Sequence, residues 1–165
     1  MESDYQSLFQ VRLANYDDIP AIMNITREAF VKFHQISGVE NLAALEESYN
    51  DVKKDIDTKV VLLALSDGEP VGSVRVEVFP DKTAYLSRFA VKVTSQNNGI
   101  GKSIMNLVDK IMVKKGVTQI QLHTGSKITS LIRFYYGRGF YIDSTDKSRG
   151  YVRALLIKEY QKKDC

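Results

Sequence analysis

Gln96-Asn97-Asn98-Gly99-Ile100-Gly101-Lys102-Ser103 joins an extended apolar run, Ala84 to Val93, to an amphipathic segment, Gly101 to Lys115. Two glycines one residue apart let the backbone turn sharply and come close to a ligand. The first N–H groups of the helix that follows lack intrahelical partners, so several can point at one anion. The stretch therefore reads as a strand, a phosphate cradle and a helix; the competing reading is an ordinary strand-to-helix turn. Beyond it Ile104, Leu107, Val108, Ile111 and Met112 recur at helical spacing, a stripe that has to be buried. Lys114 and Lys115 suit the negative end of that helix, and Gly116 is a good residue to stop it.

Two nucleotide-binding motifs fail on the same residues. The P-loop pattern G-x-x-x-x-G-K-[ST] is met at Gly101, Lys102 and Ser103, but its first glycine falls on Gln96. The next strand, Val117 to Leu122, holds no acidic residue for a magnesium ion. The dinucleotide fingerprint G-x-G-x-x-G needs a third glycine where Ile104 stands.

Toward the N-terminus, Phe9, Val11 and Leu13 alternate as a strand, and Asp17-Asp18 opens a helix with Ile22, Ile25, Ala29 and Phe33 on one face. Gly38 ends it. A second, charged helix is expected over Asn41 to Asp55, with Leu42, Leu45 and Val52 inward and Glu46, Glu47, Lys53 and Lys54 outward. Three strands follow: Val60 to Leu65, Val71 to Phe79 and Ala84 to Val93, separated by Ser66-Asp67-Gly68 and Pro80-Asp81-Lys82. Strict alternation in the last puts Tyr85, Ser87, Phe89 and Val91 on one face and Leu86, Arg88 and Ala90 on the other. Toward the C-terminus, a strand at Val117 to Leu122, a short helix at Thr129 to Tyr136 and strands at Phe140 to Ile142 and Tyr151 to Ile157 complete the order βααβββαβαββ. That order predicts an α/β fold, a mixed sheet with helices on both faces and a ligand at the carboxyl ends of strands.

The chain has 165 residues, about one domain, with 44% hydrophobic and 26% charged residues, near the average for soluble proteins. No apolar run is long enough to span a membrane, and the polar start, Met1 to Gln6, does not resemble a signal peptide, so a cytoplasmic protein is expected. One cysteine, Cys165, and two histidines, His34 and His123, exclude a disulfide framework and a metal-ligand cluster. The net charge of +3 hides an asymmetry: residues 1–82 carry 15 acidic and 8 basic side chains, residues 83–165 carry 5 and 15. A basic half suits an anionic partner, although solvated lysines on helix faces give the same count. It lacks interleaved exposed aromatics and any nucleic-acid module, so no nucleic acid is expected among the partners.

Ala90-Val91-Lys92-Val93 followed by Gln96 to Gly101 resembles the acyl-CoA-binding motif [RQ]-x-x-G-x-[GA] of the GCN5-related N-acetyltransferase (GNAT) superfamily. Phe134-Tyr135-Tyr136-Gly137-Arg138-Gly139-Phe140 is similar to the family's F-Y-x-x-x-G-F segment, at the expected distance. The resemblance covers nearly the whole chain. It implies a mixed, mostly antiparallel central sheet, a single N-acetyltransferase domain over residues 1–165, and acetyl-CoA as acetyl donor with no metal. The activity implied is direct attack of a primary amine on the acetyl thioester in a ternary complex. A non-catalytic acyl-CoA-binding regulator is the alternative, and a monomer or homodimer is expected.

Residue by residue, the resemblance implies that backbone groups of Phe89, Val91 and Val93 pair with the pantetheine arm as an added strand would. The pyrophosphate is expected on the N–H groups of Gln96, Asn97, Asn98, Gly99, Ile100, Gly101, Lys102 and Ser103, with Lys102 adding charge, and the 3′-phosphate near Lys127, Arg133 or Arg138. Tyr135 matches the tyrosine that protonates the departing thiolate. An alkyl ammonium must also lose a proton before it can attack. The strand before the cradle has Tyr85 and Ser87 where the family often has Glu or His, so Glu77, His123 and a solvent relay all remain open as the base. Ile128 and Leu131 stand where Asn and Ala are frequent. Substrate selection is expected from Ile19 to Asp57, whose carboxylates Glu28, Glu40, Glu46, Glu47, Asp51 and Asp55 would suit a cationic amine, and from the last hairpin, Tyr141 to Tyr151.

Overall fold

The computed structural model describes residues 9–38, 42–96 and 98–160. Strand β1 (Phe9–Leu13) leads through a 3-10 turn, Tyr16–Asp18, into helix α1 (Ile19–Ser37), and two short helices follow, α2 (Leu42–Leu45) and α3 (Tyr49–Thr58). Strands β2 (Val60–Ser66), β3 (Glu69–Val78) and β4 (Thr83–Val91) come next, then α4 (Ile100–Lys114), β5 (Gln119–Gly125), α5 (Thr129–Gly137), β6 (Tyr141–Asp146) and β7 (Arg153–Glu159). The strands form one sheet in the order β1-β2-β3-β4-β5-β7-β6, antiparallel throughout except where β4 meets β5. This is the mixed sheet that the element order implied, mostly antiparallel as the family resemblance implied.

Both faces of the sheet are covered, which explains why β2 is apolar along its whole length. Leu62 and Ala64 face a layer made by α4 and α5, with Ile104, Val108 and Met112 buried against them. Val61 and Leu63 face α1 and α3, where Ile22, Ile25 and Val52 close the second core.

Three expectations fail for local reasons. The single helix over Asn41 to Asp55 is broken at Ser48, whose hydroxyl accepts the Asp51 N–H at 3.1 Å while the Asp51 carboxylate accepts the Ser48 N–H at 2.9 Å. This reciprocal cap starts a new helix and turns the preceding residue inward. Glu47, expected outside, therefore grips Arg75 with both carboxylate oxygens. The β3–β4 hairpin pairs Val78 with Ala84, which sets Glu77 opposite Tyr85.

The third failure matters most for the site. The β3–β4 register slips between Ser73 and Arg75, which lie opposite Ala90 and Ser87, and Arg88 has φ +52°. One extra residue in β4 makes a bulge, and a bulge reverses the alternation beyond it. Phe89 and Val91 thus pack on the α4–α5 side, Ala90 on the α1 side and Arg88 against Glu47. Phe89 and Val91 therefore do not share the face of Tyr85 and Ser87.

Candidate active site

β4 and β5 pair only at Thr83–Gln119, Ala84–Ile120 and Tyr85–Gln121. Beyond those rungs the two parallel strands separate toward their carboxyl ends, and the edge of β4 that faces β5 has no strand on it. A cleft of about 580 Å³ opens there. Phe89 and Val91 form part of its wall, Gln96, Gly99, Gly101 and Lys102 its end, and Arg133, Phe134 and Arg138 its α5 side.

The end of the cleft is a glycine turn between strand and helix. Gly99 is the N-cap of α4 at φ +79°, with no side-chain cap, so the N–H groups of the first turn are left for a ligand. Ser103 is the first to bond back, its N–H donating to the Gly99 carbonyl at 3.0 Å. Gln96 folds onto β4 and donates from Nε2 to the Val91 carbonyl at 3.1 Å, tying the turn to the strand. Gly101 stands at a close approach: a Cβ there would lie 3.1 Å from Phe89 Cζ and 3.3 Å from Phe134 Cζ, so the rings would have to give by a few tenths of an ångström. Those two rings stack at 5.5 Å between centroids.

Charge is distributed one-sidedly. Lys32, Lys102, Arg133 and Arg138 line the cleft, and no carboxylate is among its described lining residues. An uncapped helix start, a cationic lining and an apolar aromatic channel suit an extended anion with an apolar portion. Lys127 lies outside the lining. So do Asn98, Ile100 and Ser103, with Ile100 buried in the core. Asn97 lies outside the described residues, and Val93 opens a short 3-10 turn after β4.

The candidate proton-transfer residues are dispersed. Tyr135 is buried among Phe89, Phe134 and Phe140, and burial pushes its hydroxyl well above the ordinary tyrosine value. It stands behind the aromatic wall of the cleft. Glu77 lies on the opposite face, 3.8 Å from Lys59 Nζ, in a separate polar depression with Glu47, Asp55 and Arg88. His123 is on the face of Tyr85, and its Nδ1 is 2.6 Å from the Tyr85 hydroxyl. Burial first, then the charges of Arg153 and Arg149, hold this imidazole below its ordinary value, with Asp146 opposing them.

The acidic N-terminal half is occupied with structure. Arg75, fully buried, takes Glu47 and Asp55 as partners, and Asp51 caps α3. Of the six carboxylates singled out for a cationic acceptor, Glu28 and Glu46 are exposed and Glu40 lies outside the described residues. Sequence reasoning also missed the α1 wall of the cleft, Phe30, Lys32 and Phe33. The apolar periodicity of α1 reaches Phe33, but nothing in it tells which end of the helix borders a ligand.

The profile of the acetyltransferase (GNAT) family matches residues 19–140. A spermidine N(1)-acetyltransferase of Thermoplasma acidophilum is 23% identical over 149 residues, covering 84% of this chain and 92% of that protein. The crystal structure of the PaiA N-acetyltransferase of Thermoplasma acidophilum, in complex with coenzyme A, superposes with a TM-score of 0.82 at 22% identity, over 92% of this chain and 99% of that one. The ribosomal-protein-S18-alanine N-acetyltransferase of Escherichia coli superposes at 0.76 with 14% identity, over 94% and 96%.

Proposed function

This chain belongs to the acetyltransferase (GNAT) family, and we propose that it moves the acetyl group of acetyl-CoA to a primary amine by direct attack within a ternary complex. The observation that carries this reading is the cleft where β4 leaves β5: four cationic side chains, no carboxylate among its described lining residues, and an uncapped helix start at its end. When bound, acetyl-CoA supplies an activated thioester; the rest is the work of the protein.

The N–H groups of α4's first turn, with Lys102, hold phosphate, and the macrodipole of this 15-residue helix adds about 0.3–1 kcal/mol. Arg133 and Arg138 are the candidates for the further phosphate. The unpaired edge of β4 from Phe89 to Val91 offers backbone groups to amides of an extended ligand. Phe89, Phe134 and Tyr135 exclude water, which strengthens each polar contact made among them.

Tyr135 holds a proton at Oη for the departing sulfur. The thiolate of a thiol with ordinary pKa near 8.5 is a weaker base than a tyrosinate, so the transfer runs uphill in water. The same apolar surroundings that raise the tyrosine also raise the thiol, because both anions lose hydration. The acceptor enters from the other face of the sheet, where Tyr85, Ser87 and His123 lie. The kinship with a spermidine N(1)-acetyltransferase makes spermidine the first amine to test.

Calorimetric titration with acetyl-CoA, followed by a thiol-release assay over an amine panel beginning with spermidine, tests the reading. Binding together with amine-dependent thiol release is expected. Binding without release on any amine would indicate the non-catalytic regulator instead, and no binding would overturn both.

A further inference from the structure

Tyr85 and His123 are the one hydrogen-bonded pair of titratable side chains that spans the point where β4 and β5 part, among the described residues. Tyr85 belongs to the last paired rung, opposite Gln121, and His123 follows two residues later on the same face. The hydroxyl and Nδ1 are 2.6 Å apart, with either group donating according to the tautomer, and the rings meet at 5.6 Å between centroids and 45°. Both side chains are half-buried. Ala84, Leu86, Ile120 and Leu122 point to the α4–α5 core, so the pair looks out on the opposite face, away from the phosphate cradle.

Building on the acetyl-transfer reading, we propose that this pair is the proton exit for the acceptor amine: the Tyr85 hydroxyl takes a proton from the ammonium while passing its own to His123 Nδ1. One N–H bond of the ammonium breaks and one O–H bond forms, while the original O–H bond breaks and an N–H bond forms on Nδ1. The imidazolium then releases a proton from Nε2 to water, and exchange with water restores the tautomer. No oxidant or other reactant is needed. Tyrosine alone is a poor base at neutral pH, but here it only relays, and the base is a neutral imidazole.

The surroundings favour that direction of flow. Arg153 of β7 and Arg149 of the β6–β7 connection act on both residues, Asp146 of β6 opposes them at His123, Arg88 of β4 acts on Tyr85 while paired with Glu47, and Glu77 of β3 stands opposite Tyr85. Burial, Arg153 and Arg149 outweigh Asp146 at His123 and disfavour an imidazolium there. His123 is thereby held below its ordinary value, a neutral acceptor for the relayed proton. The sequence shows neither feature, because Tyr85 and His123 are 38 positions apart and join only through the parallel register.

Tyr85→Phe is the first test, since it keeps the ring and removes only the hydroxyl. With spermidine as acceptor at pH 7, kcat/KM is expected to fall about 100-fold, at the low end for general-base catalysis, while acetyl-CoA affinity by calorimetry stays at the wild-type value. His123→Gln should fall as far, and the double variant no further than either. The wild-type rate should show an acid limb below pH 6.5 that both variants lose. An amine of depressed pKa, such as glycinamide, should be far less sensitive to Tyr85→Phe.

A second readout needs no acceptor. ¹⁵N-histidine NMR has only His34 and His123 to resolve, and His34→Gln assigns them. Wild-type His123 should carry its proton on Nε2, and Tyr85→Phe should abolish that preference. A protein that fails to bind acetyl-CoA refutes the function proposed above. A protein that binds and transfers, but whose Tyr85→Phe variant keeps the wild-type rate profile and histidine tautomer, refutes only the proton exit.

Discussion

Gly99→Ala isolates the geometry of the cradle. A Cβ added at Gly99 meets nothing within 4 Å, so the substitution has no steric cost beyond its own backbone. The φ of +79° is the whole difficulty, and holding an alanine in that region costs about 1–2 kcal/mol. The protein has two ways to meet this. If the turn keeps its shape, the folded state is destabilised by that amount, less about 0.4–1 kcal/mol gained from the stiffer unfolded chain. If the turn relaxes to negative φ, stability is retained and the N–H groups of α4 swing off the phosphate, weakening acetyl-CoA by about 5–30-fold. Urea unfolding and calorimetric titration on the same variant measure both shares. Gly99→Asn is the control, because asparagine visits the left-handed region more readily; it should recover most of whichever share alanine loses. Wild-type stability together with wild-type affinity in Gly99→Ala would refute the argument, as would an asparagine variant no better than alanine.

Arg133→Ala combined with Arg138→Ala should weaken acetyl-CoA about tenfold or more and flatten the dependence of its affinity on salt, as calorimetry at several ionic strengths would show. Arg75→Ala should destabilise by about 3–5 kcal/mol, because Glu47 and Asp55 are left without their buried partner; a melt more than about 6 °C lower is expected. The Arg12 guanidinium, then the backbone N–H of Asn15, hold the Asp18 carboxyl below its ordinary value, with burial opposing them. A depressed carboxyl stabilises the fold above its unfolded pKa of about 3.9 and loses that contribution as pH falls through the lower, folded value. Asp18→Asn should therefore cost about 0.5–1 kcal/mol at pH 7, discounted for partial exposure, and almost nothing near pH 2, measured by denaturant unfolding at each pH. Tyr135→Phe should lower turnover about 100-fold and leave acetyl-CoA affinity unchanged, read by thiol release and by calorimetry.

The glycine turn into α4 was legible because its signal is local. Gly99 and Gly101 serve a left-handed N-cap and a close aromatic approach, and both demands fall on residues within one turn of the helix they start. The stripe on α4 was legible for the same reason, since helical spacing alone assigns Ile104, Val108 and Met112 to the core. The basic half was informative in a way the acidic half was not. Arg133 and Arg138 line the cleft unopposed by any carboxylate among its described lining residues, whereas Glu47 and Asp55 are consumed by a buried arginine two elements away. Counting charges cannot separate those cases; only pairing can.

The bulge at Arg88 is where local reading stops, and the two halves of the site are divided there. Arg88 is not glycine, so no residue type announces its positive φ, and strict alternation assigns Phe89 to the face of Tyr85. One inserted residue undoes that assignment. It sends Phe89 and Val91 to the α4–α5 side, where the phosphate cradle lies, and leaves Tyr85, Ser87 and Arg88 on the other. Without the bulge, the aromatic wall of the cleft and the Tyr85–His123 pair would share a face, and a single side of the sheet would have to hold both an anionic donor and the proton path of a cationic acceptor. With it, under the function proposed above, an extended ligand on the β4 edge would meet apolar rings and cations on one side, and an amine would approach the same strand from the other. The device costs about 1–3 kcal/mol of backbone strain at Arg88. The contacts of its guanidinium with Glu47, 3.5 Å away, and with the Phe30 ring help to hold the strained residue in place.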